Sequence, residues 1–209
     1  GDVADLINWV RGADNFEDEN NPGLTDPDVR ASIHGDVLHS RPAVVNYNRH
    51  GNDNDVYIFY GSNDGVFRAE KGGFEQSEGS EPEPGNEAWG FIPEDFFNSL
   101  KRMRNDEPII SSSNKKPYFA DGTLGVYVRD LDDDGALPGD GVLDDLDDTD
   151  GVDPDENDKV WLFISMRRGG RFLYALDVSD PAVPKLLWKK KAGEDLGFAE
   201  LGYTWSAPQ

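Results

Sequence analysis

The chain has 209 residues, with 42 acidic against 20 basic side chains, a formal charge of −22, 23 Gly, 13 Pro and no Cys. That charge disfavours nucleic acid and anionic lipid as partners and favours cations or basic surfaces. The missing Cys excludes disulfides, thiolate nucleophiles and thiolate metal sites, and no apolar run approaches the roughly eighteen residues of a membrane span.

Residues 1–12, with Val3, Leu6, Ile7 and Val10 at helical spacing, predict a short amphipathic helix ended by Gly12. Residues 13–28 are acidic and carry Pro and Gly, which predicts a linker, so 1–28 form a helix-plus-linker unit. From residue 29 the pattern turns to short β runs. Pro42–Tyr47 is extended, Val56–Gly61 is β-branched and aromatic, and Asn63-Asp64-Gly65 is a hairpin turn into Val66–Ala69. Ala88–Ile92 is a fourth strand. Pro93–Asp106 then reads as helical: Glu94 and Asp95 lie in the first turn, Phe96, Phe97, Leu100 and Met103 form the apolar face, and Lys101, Arg102 and Arg104 fall late.

The order then recurs. Thr123–Arg129, Val160–Met166, Arg171–Val178 and Lys185–Lys190 are strands, with Gly169-Gly170 at the second hairpin. Tyr57–Gly61 aligns with Trp161–Ser165, Gly65–Ala69 with Gly170–Ala175, and each fourth strand carries a Trp, Trp89 or Trp188. Thr204-Trp205-Ser206-Ala207-Pro208 repeats the Ser40-Arg41-Pro42 opening. Four antiparallel strands per repeat make a propeller blade. The expected fold class is all-β: a partial β-propeller of four-stranded antiparallel blades, quinoprotein-like, with short helical insertions. Residues 29–209 hold about two blades and the start of a third. The rest of the ring is expected beyond Gln209 in a longer chain, with a second chain as the alternative.

Between the fifth and sixth strands, Asp130 to Asp158 hold fourteen acidic residues in twenty-nine positions and no Lys or Arg. Carboxylates at that density repel, so a compact arrangement needs counter-charge, and a hard divalent cation with many oxygen ligands, Ca²⁺, supplies it best. Asp130, Asp132 and Asp134 alternate as positions 1, 3 and 5 of a calcium loop, Gly135 permits the turn, and Ala136 offers a backbone carbonyl. Pro138 and Gly141 fall where later ligands belong, so Asp140 or Asp144 must close the shell. Asp140-Gly141-Val142-Leu143-Asp144-x-x-Asp147 is a second half-motif, which could complete that site or form another. Residues 137–158 hold few apolar side chains and are expected to lengthen the loop without adding core. The plain alternative is a solvated acidic loop. Asp53 and Asp55 make a shorter acidic turn at the matching place in the first blade, read as an Asx-type turn. His34, His39 and His50 match no zinc spacing and read as satisfied or exposed.

Taken in order, Ser40-Arg41-Pro42-Ala43-Val44-Val45, Tyr60-Gly61-Ser62-Asn63-Asp64-Gly65-Val66-Phe67-Arg68-Ala69, Ala88-Trp89-Gly90-Phe91-Ile92-Pro93, Tyr118-Phe119-Ala120-Asp121-Gly122, Met166-Arg167-Arg168-Gly169-Gly170-Arg171, Tyr174-Ala175-Leu176-Asp177-Val178 and Leu201–Pro208 resemble the C-terminal propeller of the PilY1 family, called PilC in pathogenic cocci. These are type IV pilus biogenesis and tip-adhesin proteins. The resemblance covers about residues 29–209. It implies a non-enzymatic, calcium-binding assembly protein in which calcium sets a loop conformation and so controls pilus extension, retraction or surface attachment. It implies pilus components such as minor pilins, and a host or surface receptor, as partners. The implied location is extracellular and pilus-associated, reached through the periplasm and compatible with outer-membrane association. The chain departs from the family's compact calcium loop, because the acidic insertion after Gly135 delays the closing ligand. The Ala175-Leu176-Asp177 and Lys185–Trp188 runs also echo quinoprotein dehydrogenase blades, which makes a quinone-dependent oxidoreductase the competing expectation and a purely structural propeller the third.

Overall fold

The computed structural model describes residues 2–14, 29–30, 32–49, 55–73, 83–131, 139, 141–143 and 158–208. Two four-stranded antiparallel sheets carry the fold. The first runs β1 (Ala43–Asn46), β2 (Val56–Gly61), β3 (Phe67–Lys71) and β4 (Glu87–Phe91); the second runs β5 (Leu124–Arg129), β6 (Lys159–Ser165), β7 (Phe172–Asp177) and β8 (Lys185–Lys191). In both, strands pair in sequence order. The two sheets are therefore meanders of one design, a partial propeller of two blades, and they approach each other at their first strands, β1 and β5.

The repeat holds residue by residue. Ala43, Phe59, Ala69 and Trp89 stand in one cross-strand row of the first sheet. Gly125, Phe163, Ala175 and Trp188 form the corresponding row of the second. The Phe–Trp ring centroids are 5.8 Å apart in the first row and 6.0 Å in the second. A register shift follows Ala69 in β3 and Ala175 in β7, where the partner strand carries one extra residue, Ala88 in β4 and Leu187 in β8.

The two rows differ in what covers them. Phe59, Phe67 and Trp89 meet Leu124, Leu162, Ile164 and Leu176 of the second sheet across a narrow seam. The Trp89 indole N–H donates to the Pro181 carbonyl at 2.7 Å, and the Tyr47 hydroxyl to that of Val178 at 2.6 Å. Alternation along β6 buries Val160, Leu162 and Ile164 toward this seam, as a half-buried strand requires. The second row lies on the opposite face of the second sheet, where Trp188 and Tyr127 are exposed. The 201–208 segment crosses that face: a Cβ on Gly125 would meet the Pro208 carbonyl oxygen at 2.5 Å, and the Thr204 hydroxyl accepts from the Met166 and Arg167 amides.

The predicted strands all form, with ends shifted by a residue or two. Gly65, at φ +94° in the β2–β3 hairpin, takes the conformation its turn requires. The predicted helix over 93–106 is a 3₁₀ turn, Glu94–Phe96, running into α2, Phe97–Asn105. Phe96 and Leu100 are buried, but Phe97 is 52% exposed, against expectation. Adjacent helical residues point about 100° apart, and Phe96 takes the core position between Phe119 and Phe172. The N-terminal helix α1 spans Asp2–Val10. Leu6 and Val10 pack against the core, whereas Val3 and Ile7, expected on the same face, are exposed. Most of the predicted linker lies outside the described residues. Among the described residues, no helix is long and apolar enough to cross a membrane.

Candidate cation site at the acidic connection

The acidic segment leaves the second sheet at the end of β5 and rejoins it at β6, whose edges are paired at Arg129 and Lys159. Its base is strapped. Asp158 is 3% exposed and its Oδ1 accepts from the Leu131 amide at 2.8 Å. Next to it, Asp130 Oδ2 accepts from the Gly141 amide at 3.2 Å. Asp130 Oδ1 is buried with no hydrogen-bond partner. A buried carboxylate oxygen without a partner is costly. The Gly139 backbone passes so close that a Cβ there would fall 1.9 Å from Oδ1, so only glycine fits.

Of the predicted ligands, Asp130 is the one among the described residues; Asp132, Asp134, Ala136, Asp140, Asp144 and Asp147 lie outside them. Among the described residues, no group of three or more His, Asp or Glu could hold a metal. Asp130 Oδ1 fits one position of a hard oxygen shell: an unpartnered carboxylate oxygen at the head of an Asp-x-Asp-x-Asp-Gly sequence.

Residues 141–143, near the middle of the connection, reach the first sheet. Leu143 is 4% exposed and belongs to the core, and its amide donates to the Tyr47 carbonyl at 2.8 Å. The expectation that residues 137–158 add no core fails at this residue, because one leucine returning to the seam between sheets finds an apolar position there. The Asn48 side-chain amide donates to the Gly141 carbonyl at 3.1 Å. Burial pushes the pKa of Tyr47 upward, so its hydroxyl stays a neutral donor to Val178.

The matching place in the first sheet corrects the sequence reading. Asp55, expected in an Asx-type turn, is fully buried just before β2. Arg49 binds it through two nitrogens, Nε at 2.5 Å and Nη2 at 2.9 Å, and Lys71 Nζ adds a contact at 2.7 Å. Burial alone would raise its pKa. The hydrogen bonds and charges of Arg49 and Lys71 outweigh that and hold the carboxyl well below the ordinary carboxylate range. Nothing in the spacing of Arg49, Asp55 and Lys71 announces the cluster, since β2–β3 pairing brings Lys71 opposite Tyr57. Asp53 lies outside the described residues.

Two histidines are engaged. His34 Nε2 lies 2.9 Å from the Tyr60 hydroxyl, and His39 Nδ1 lies 2.7 Å from Asp121, a buried carboxylate. His50 lies outside the described residues. At the far side of the seam, Asp95 receives Lys189 and Lys191, each at 2.9 Å, and the Tyr174 hydroxyl at 3.0 Å. The inserted helical segment is thereby tied to β7 and β8. Burial opposes ionisation of Asp95, but these donors outweigh it and lower its pKa.

No family model matches the chain. Over 98% of its length it is 26% identical to the type IV pilus biogenesis factor PilY1 of Pseudomonas aeruginosa strain UCBPP-PA14, and over 99% it is 26% identical to that of strain PAK. The chain spans 15% and 16% of those two proteins. A crystal structure of the Pseudomonas aeruginosa PilY1 C-terminal domain matches 68% of this chain and 21% of its own, at 24% identity and a TM-score of 0.34. The match to PilY1 along nearly the whole chain bears out the resemblance read from its motifs.

Proposed function

We propose that this chain is a calcium-binding propeller segment of a type IV pilus biogenesis protein, a binding and assembly module and not an enzyme. The whole-length likeness to PilY1 supports the pilus assignment. The buried, unpartnered Asp130 Oδ1 at the head of the acidic run carries the cation reading.

Bound Ca²⁺ would supply positive charge and a flexible shell of six to eight oxygens. Asp130, Asp132 and Asp134 would ligate through carboxylates, Ala136 through its carbonyl, and Asp140 or Asp144 would close the shell. Asp158 holds the base of the connection by fixing the Leu131 amide. With no bidentate Glu at the twelfth position, affinity should be weak, about 10⁻⁵ to 10⁻³ M, as in extracellular modules. Mg²⁺ should substitute poorly, since it demands a smaller octahedral shell. The cation state sets the shape of the connection, and through it pilus extension, retraction or attachment. The partners are pilus components, minor pilins among them, and a host or surface receptor. The location is the pilus-bearing surface.

Calorimetric titration of the metal-stripped protein tests the site, comparing wild type with Asp132→Ala and Asp134→Ala. Saturable heat in the wild type alone supports it. Equal heats in all three reduce the acidic run to a solvated loop. In the full-length protein, unchanged surface piliation in both variants would remove the regulatory role.

A further inference from the structure

The Gly141 peptide is held from two sheets at once. Its N–H donates to Asp130 Oδ2, at the end of β5, and its C=O accepts from Asn48, just beyond β1. Two residues later the Leu143 side chain enters the core and its amide donates to Tyr47. Tyr47 is itself fixed, with its amide on the Asp55 carbonyl and its hydroxyl on Val178. Asn48 sits at φ +53° with its amide on the Asn46 side chain. The acidic connection belongs to the second sheet in sequence, but its residues 141–143 are held by the first.

We infer that the first sheet is one wall of the cation site, with Tyr47, Asn48 and Leu143 as positioning residues that hold Gly141 against Asp130. The inference rests on the cation reading above and adds to it a partner element that the ligand sequence does not contain. A cation on Asp130 engages the carboxylate whose other oxygen receives the Gly141 amide. Ligation and the Gly141 contact thus share one side chain. A shift of that carboxylate moves the Gly141 peptide, and the Gly141 carbonyl carries the shift to Asn48. By linkage the effect runs both ways: loosening the contact with the first sheet weakens the cation, and the cation tightens the contact.

The test uses the metal-stripped chain. Asn48→Gly removes the side-chain donor without straining the positive φ, and Leu143→Val thins the core plug. Ile164→Val removes a methylene from the same core, away from the connection, and controls for simple loss of stability. Calorimetry with Ca²⁺ should show affinity weakened about fivefold or more in Asn48→Gly and Leu143→Val. Affinity should be unchanged in Ile164→Val and restored in Leu143→Met. Hydrogen exchange should show the Gly141 and Leu143 amides slowing when Ca²⁺ is added to the wild type. Circular dichroism establishes that each variant is folded. Equal Ca²⁺ affinity in wild type, Asn48→Gly and Leu143→Val overturns the positioning role and leaves the cation site standing. No heat in the wild type overturns the cation site, and the positioning role with it.

Discussion

Among the described residues just before β2, the first sheet buries one carboxylate, Asp55, between Arg49 and Lys71. Just before β6 the second sheet ends a run of fourteen acidic residues that includes no Lys or Arg. The two connections occupy the same place in two sheets of the same design, yet their charge is balanced differently. One carboxylate can be neutralised by cations that the chain itself carries, at the cost of desolvating all three groups. Fourteen in a run without Lys or Arg have no counter-charge within the run, which is the ground for proposing that it comes from solution. The same pair of sheets shows a second contrast. The Phe59–Ala69–Trp89 row is covered by a neighbouring sheet, whereas the Phe163–Ala175–Trp188 row is crossed by the 201–208 segment and leaves Trp188 exposed.

The sharpest way to break the first contrast is Asp55→Ala. It strands two cations beside a buried position and should cost about 3–5 kcal/mol, read by denaturant unfolding. A loss below about 1 kcal/mol would mean that Arg49 and Lys71 find water or other partners easily. The second contrast predicts a smaller, asymmetric pair. Trp89→Ala loses the Pro181 hydrogen bond and seam packing and should cost about 2–3 kcal/mol, whereas Trp188→Ala should cost about 1 kcal/mol or less in this chain. Equal losses would show that the 201–208 segment packs the second row as well as a sheet packs the first.

Acid sharpens the Asp55 comparison further. The unfolded carboxyl takes up its proton near 3.8, and the folded one does so only at lower pH. The unfolded chain therefore binds more protons in that interval, and stability falls as pH falls through it. Above that range the contribution of Asp55 is complete. The stability gap between wild type and Asp55→Asn should stay constant near neutrality and narrow as pH drops below about 4. A gap independent of pH would remove the ionic account. The smallest effect is expected from deleting Thr149–Glu156, which should change stability by no more than about 0.5 kcal/mol, because the deletion spares Leu143 and the strapped base. Loss of cooperative unfolding would give that stretch a packing role.

The strands and their repeat were legible because β alternation and turn residues are local signals. Phe59 with Phe163, Ala69 with Ala175 and Trp89 with Trp188 align in sequence and fall on matching rows in space. What stayed hidden was long-range. Asp55 looks like a turn residue until β2–β3 pairing brings Lys71 beside it. Leu143 looks like one apolar residue in a polar run until the segment folds back on Tyr47. Phe96 and Phe97 are equivalent in composition, and only the junction of the 3₁₀ turn with α2 decides which is buried. The proposed cation site divides the same way. Its alternation of Asp130, Asp132 and Asp134 is visible in sequence, but the contacts of Tyr47 and Asn48 with residues 141–143 have no sequence signature.

The central claim, that one connection carries its own counter-charge and the other takes it from solution, is tested most directly by unfolding midpoints with and without Ca²⁺. Three metal-stripped proteins suffice: wild type, Asp55→Asn and Asp130→Asn. At a hundredfold excess over the dissociation constant, Ca²⁺ should stabilise the wild type by about 2.7 kcal/mol. Asp55→Asn should start less stable and gain the same increment, and Asp130→Asn should gain little or nothing. Equal increments in Asp130→Asn and wild type, or none in any of the three, would contradict the account.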